Sequence, residues 1–120
     1  MKLENNPLQN ISYDFALLIV KLSRKLMKQE KEFILSKQLM RSGTSVGANI
    51  IETNGAISKA DFSAKMSIAY KECLESKYWL SILKDSGDLI EEEFQNLYLK
   101  AGEICKILFS ILKTTRINTL

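Results

Sequence analysis

The only proline of the chain stands at position 7, and no long stretch after it alternates apolar and polar residues with the period of two that a strand requires. A backbone with neither breaker nor strand pattern is predicted to be helical, here from about residue 9 onward. The 120 residues, 46% hydrophobic and 26% charged, suffice for one core and match an ordinary soluble domain. The expected class is all-α, with residues 1–120 forming a single domain.

Apolar spacing divides the chain into four segments. In the first, roughly Gln9 to Gln29, Ile11, Phe15, Leu18, Leu22 and Leu26 form the stripe to be buried, with Asp14, Lys21, Lys25 and Lys28 opposite. Phe15 to Val20 is apolar almost all round, so part of its outer face is expected to be covered by another helix or another subunit. A polar hinge, Lys28 to Glu32, precedes a second helix over 33–55 that starts at Phe33 or Ile34 and ends on Asn54-Gly55 as its cap. Ser58-Lys59-Ala60-Asp61 reads as a capping-box variant opening the third helix, 58–86. Its seam is Phe62, Met66, Ala69, Cys73, Ser76, Leu80 and Leu83, and Ser86-Gly87 stops it. The fourth, 89–114, opens at Asp88 or Ile90 with Glu91, Glu92 and Glu93 at its positive end. Phe94, Leu97, Ala101, Ile104, Leu108 and Ile111 give it a heptad seam, widened by Tyr98, Cys105 and Leu112, and the residues from Thr114 on are expected to fray. Four helices on short connections predict an antiparallel up-down-up-down four-helix bundle.

Within the second segment, Arg41 to Glu52 is built from small and polar residues. Arg41, Ser45, Asn49 and Glu52 share one helical face. Gly43 and Gly47, four apart, with Ala48 beside them, strip bulk from the cylinder, although each mid-helix glycine costs about 1 kcal/mol against alanine. Close packing of a neighbouring helix, or a ligand against the backbone, would compensate. Ser and Asn are poor helix formers, so the polar stripe is either a wet face or a bonded network, with Glu72 and Glu75 as candidate partners for Arg41.

The chain has no histidine, which removes the Glu-x-x-His di-iron site of ferritin-like bundles, His-dependent nucleophile systems and imidazole zinc ligands. Ser45 and Cys73 have no evident base. The Gly43 to Gly47 segment lacks the Gly-Lys-Ser/Thr and the preceding strand of a phosphate loop. No enzyme, metal, cofactor or small-molecule substrate is expected; catalysis would need a pocket holding a perturbed carboxylate such as Glu52 or Glu72. Cys73 and Cys105 lack metal-type spacing and read as buried free thiols of a cytoplasmic protein. Met1 to Pro7 has no apolar targeting core, and no apolar run approaches the ~20 residues of a membrane helix.

Formal charge is only +3, but its placement is uneven. Lys21, Arg24, Lys25, Lys28, Lys31, Lys37 and Arg41 crowd the first two helices, while Asp88 and Glu91 to Glu93 gather at the start of the fourth. One end or face should be basic, suited to nucleic-acid phosphates or else merely solvated.

Several ordered motifs carry a resemblance: Arg41-Ser42-Gly43-Thr44-Ser45-Val46-Gly47-Ala48-Asn49-Ile50, Ser58-Lys59-Ala60-Asp61-Phe62, Lys65-Met66-Ser67-Ile68-Ala69, Lys71-Glu72, Glu75 and Tyr78-Trp79-Leu80. From roughly Tyr13 to Lys113 the chain resembles the bacterial four-helix-bundle family named for the protein encoded in the intervening sequence of 23S ribosomal RNA. The resemblance implies a small cytoplasmic bundle assembled into a five-subunit ring, with no catalytic activity. It also implies kinship to a branch that serves as the nucleic-acid-binding accessory subunit of diversity-generating retroelement reverse transcriptases. Arg41, Ser45, Asn49, Glu52, Glu72, Glu75, Tyr78 and Trp79 match the family pattern as a polar network or subunit interface. Ile51, where many relatives carry an acid, and Cys73, where alanine is common, depart from it. The reading that follows is a homo-oligomer binding structured RNA through Lys21, Arg24, Lys25, Lys28 and Arg41. Its rival is a protein-interaction scaffold that binds no nucleic acid directly.

Overall fold

The computed structural model describes residues 6–119. Four helices follow one another: α1 (Pro7–Gln29), α2 (Leu35–Glu52), α3 (Lys59–Asp85) and α4 (Glu91–Thr119), with one 3₁₀ turn over Thr53–Gly55. Contacts run in chain order, α1 on α2, α2 on α3 and α3 on α4, and α4 closes more thinly on α1; among the described residues the backbones of the diagonal pairs stay more than 8 Å apart. This is the arrangement of an up-down bundle, drawn out to 47 × 28 × 22 Å.

Local chemistry sets each boundary. α1 begins two residues earlier than the sequence suggests, because Pro7 occupies the first helical position, where a missing N–H costs nothing, and the Asn6 side chain accepts from the Gln9 N–H at 3.1 Å. α2 begins later, at Leu35, because Glu32 draws the entry turn tight: its carboxylate accepts from the Ser36 N–H at 2.7 Å and the Ile34 N–H at 3.2 Å, leaving Phe33 and Ile34 exposed in the turn. Gly55 closes the 3₁₀ turn without the left-handed conformation expected of a cap. Ser58 does cap α3, accepting from the Asp61 N–H at 3.0 Å, and Asp61 reaches one residue past the cap to the Ile57 N–H at 3.2 Å. At the far end Gly87 takes φ +89, so that its N–H meets the Lys84 carbonyl and the Asp88 N–H the Leu83 carbonyl at 2.9 Å, the paired bonds of a Schellman stop. α4 continues to Thr119 rather than fraying from Thr114; Leu120 lies outside the described residues.

The core is a single cluster with Phe15, Ile19, Leu39, Val46, Ile50, Leu80, Leu83, Ile104 and Leu108 at its centre. On α1 the buried stripe is Gln9, Ser12, Phe15, Ile19, Leu22, Ser23 and Leu26, while Ile11 and Leu18 are only half-buried. Rotation explains the difference, since a stripe at 3.6 residues per turn drifts off a strict heptad. The same drift moves the end of the α4 seam from Ile111 to Leu112.

Small residues let the helices approach. A Cβ on Gly43 would lie 2.7 Å from Ile19 Cγ2, and one on Gly47 would lie 3.4 Å from the Ser12 carbonyl oxygen. Across α2 and α3, Ser76 donates to Ser42 Oγ at 2.9 Å, and Ser42 donates on to the Leu39 carbonyl. Ser23 is wholly buried with its hydroxyl unpaired.

Gly43→Ala is therefore expected to destabilise the chain by about 1–3 kcal/mol, because branched Ile19 cannot swing clear, even after the helix-propensity gain. Gly102→Ala, whose Cβ would meet nothing within 4 Å, is expected to stabilise it by about 0.5–1 kcal/mol. Urea unfolding of the two variants beside the parent chain checks both signs.

Candidate functional site

Two polar constellations stand on opposite sides of the bundle. At the α2–α3 seam, Arg41 Nη1 donates to Glu72 Oε2 at 3.0 Å and Nη2 donates to Glu75 Oε1. Trp79, one turn after Glu75, donates its indole N–H to the same oxygen at 3.0 Å, and Tyr78 packs edge-on against Trp79 at 5.2 Å between ring centres. The hydrogen bond from Arg41 holds the Glu75 carboxyl below the usual carboxylate range, opposed by partial burial and helped by the Trp79 N–H. Arg41 is raised in turn, chiefly by Glu75.

The rest of the predicted stripe does not join this network. Ser45 Oγ donates back to the Arg41 carbonyl at 2.7 Å, and Asn49 Nδ2 to the Ser45 carbonyl at 2.8 Å. These bonds keep poor helix formers in mid-helix without a partner on another element. Glu52 pairs separately with Lys65 at 3.2 Å. Sequence reasoning missed Lys65, although its place beside the buried Met66, near the start of α3 and so near the end of α2, was a usable signal. Neither Glu52 nor Glu72 lines the grooves described below, and among the described residues no three Cys, Asp or Glu side chains gather as metal ligands.

The second constellation is the outer face of α1. Lys21, Arg24, Lys25 and Lys28 are exposed and lie within about two turns. Lys25 is held by Glu93 at 3.0 Å, and beside it Lys21 borders a shallow groove between α1 and α4 with Leu18, Leu22 and Leu97. Among the described residues Lys21, Arg24 and Lys28 have no carboxylate partner, whereas Lys25, Arg41, Lys65 and Lys84 each have one. Arg41 faces α3 and Lys25 faces α4, so the five predicted cations do not form one patch. Nor is the α1–α2 turn a uniformly basic end, since antiparallel packing sets the acidic start of α4 beside α1, as the Lys25–Glu93 pair records. The sequence separation of the two charge runs concealed that neighbourhood.

Gly43 and Gly47 face α1, whereas Ala48 is exposed and corrects the expectation of close helix packing there, being about 100° further round the helix than Gly47. Ala48 and Ile51 edge an apolar groove of about 250 Å³ between α1 and α2, with Tyr13 and Ala16 across from them. No helix among the described residues is long and apolar enough to cross a membrane.

Replacing Glu75 by Gln is expected to lower stability at neutral pH by less than about 1 kcal/mol, as befits a half-exposed pair. A carboxyl lowered in the folded state stabilises above its unfolded pKa, about 4.3, and that stability is lost as pH falls through the folded value. The gap between Glu75→Gln and the parent should thus be full at pH 7 and shrink progressively below about pH 4.3. Urea titrations at several pH values measure it.

Comparison with known proteins agrees with this architecture. A solved structure of a protein of unknown function from the S23 ribosomal protein family, from Bacteroides thetaiotaomicron, is 43% identical and superposes with a TM-score of 0.87, covering 88% of this chain and 98% of that one. No curated protein matches the chain. The family model for the 23S rRNA-intervening sequence protein matches residues 4–110. With most of its length matched in this way, the chain belongs to the 23S rRNA-intervening sequence protein family.

Proposed function

We propose that this protein acts by binding and not by catalysis, as a homo-oligomer, in the form of a five-membered ring, that holds structured RNA along the outer face of α1. The observation that carries the reading is the set of exposed cations on that face, Lys21, Arg24 and Lys28, which have no carboxylate partner among the described residues, while Lys25 beside them and Arg41 on α2 do. Cations without an internal partner are the ones free to displace counterions from phosphates. Self-association is supported by Leu17, Ile68 and Leu99, large apolar side chains exposed on the outer faces of α1, α3 and α4. In this reading Arg41, with Glu72, Glu75 and Trp79, braces α2 against α3 and contributes little to RNA affinity.

A scaffold that captures a protein partner is the second reading, favoured by Ile34, Ile57 and Ile90, which stand 76%, 92% and 61% exposed in the turns.

The test is a titration of nuclease-treated protein into labelled structured RNA at low and at physiological salt. Replacing Lys21, Arg24 and Lys28 together by Gln is expected to weaken binding and to flatten the dependence of log K on log salt by roughly two to three. Arg41→Gln should leave that slope almost unchanged. Binding indifferent to the three α1 cations would remove the RNA reading and leave the scaffold. Light scattering should report a closed multimer, and a monomer at micromolar concentration would overturn the ring.

A further inference from the structure

Cys73 on α3 and Cys105 on α4 meet across the seam between these helices. Cys73 is wholly buried, and its thiol donates at 3.2 Å to the carbonyl of Ala101, which stands one helical turn before Cys105 on α4. Cys105 differs in one respect. With 7% of its surface accessible, it lines an outer groove of about 320 Å³ bordered by Leu74, Lys77, Gly102, Lys106 and Phe109. The α4 backbone at Gly102 faces open space, with nothing within 4 Å of where a Cβ would stand. No carboxylate borders the groove, and two lysines do.

We propose that Cys105 is a site of oxidation by small hydroperoxides entering from this groove, and that Cys73 resolves the product as a disulfide joining α3 to α4. The electrostatics agree with this division of roles. The Cys105 thiol is lowered by the hydrogen bond from Cys73, against the effect of burial and with help from the Lys77 ammonium, while the Cys105 sulfur and burial raise Cys73. Cys105 is the thiol of the pair that the groove reaches, and it reacts through its thiolate, the nucleophilic form.

In the first step the Cys105 thiolate attacks one peroxide oxygen, the O–O bond breaks, and hydroxide leaves and takes up a proton as water. Sulfur is oxidised by two electrons to the sulfenic acid, and the peroxide is reduced. In the second, the Cys73 sulfur attacks the Cys105 sulfur, the S–O bond breaks, and the departing hydroxyl takes the Cys73 proton as a second water. The sum is two thiols and one peroxide giving one disulfide and two waters. A dithiol reductant reverses it.

The experiment exposes the reduced full-length chain to hydrogen peroxide, quenches with an alkylating agent, and reads intact mass and peptide maps. The expected result is concerted loss of both thiols, faster than the oxidation of glutathione at the same pH, as a disulfide within one chain that dithiothreitol reverses. Cys73→Ala should give a dimedone-trapped adduct on Cys105 and no disulfide. Cys105→Ser should leave Cys73 reduced under the same exposure, with circular dichroism verifying that each variant is folded and Cys105→Ala replacing any that is not. The proposal is overturned if the folded parent chain keeps both thiols until urea unfolds it, reacts no faster than glutathione, or forms only disulfides between chains. It is equally overturned if Cys73 oxidises at the parent rate without Cys105.

Discussion

The close approach of α1 and α2 governs the geometry of the whole bundle. Ile19 sits where the side chain of Gly43 would be, and the α1 backbone at Ser12 lies against Gly47. A side chain on Gly43 would push the helices apart, while at Gly47 a Cβ would just reach contact, and the hydroxyls of Ser12 and Ser42 can remain in a dry interior only because they are bonded to nearby carbonyls, Ser12 to Leu8 at 2.8 Å and Ser42 to Leu39. With α2 drawn onto α1, Ser42 faces Ser76 of α3, and the hydrogen bond between them fixes the register of the next seam. Interior packing tolerates few voids, so one tight contact propagates to its neighbours.

Hydrophobic spacing revealed the helices and most of the core in the sequence. Six of the seven seam positions expected of α3, Met66, Ala69, Cys73, Ser76, Leu80 and Leu83, are buried, and Phe62 at its start is half-buried. Serines made the α1 stripe harder to read. Ser12 and Ser23 are as buried as Phe15, yet their hydroxyls count as polar in any periodicity, and what admits them is the partner helix, which a single segment does not encode. Helix ends were legible where a side chain supplies the cap, as at Ser58, and misjudged where Glu32 reaches forward over the hinge.

The polar constellations were legible as residues and not as partnerships. Arg41 with Glu72 and Glu75 could be anticipated because both carboxylates lie one turn apart on a single face of α3. Ser45, Asn49 and Glu52 share the Arg41 face but cannot share its partners. Each short side chain finds a carbonyl of its own helix before it can reach across a seam, and Glu52, about three turns beyond Arg41, meets Lys65 instead. Lys25 with Glu93 joins residues far apart in the chain, and only the bundle topology brings them together.

Three of the four seams join helices that are neighbours in sequence, and only the thin α1–α4 contact joins the two ends of the chain. Most native contacts thus close short loops, and little chain entropy stands in the way of forming them. Such a topology places the protein among rapid folders, with closure of the ring of helices as its one distant step. The same seam has the least packing to lose, so local opening is expected to begin there, with the α1–α2 hairpin swinging from α4 while the Ser42–Ser76 and Arg41 carboxylate contacts stay assembled.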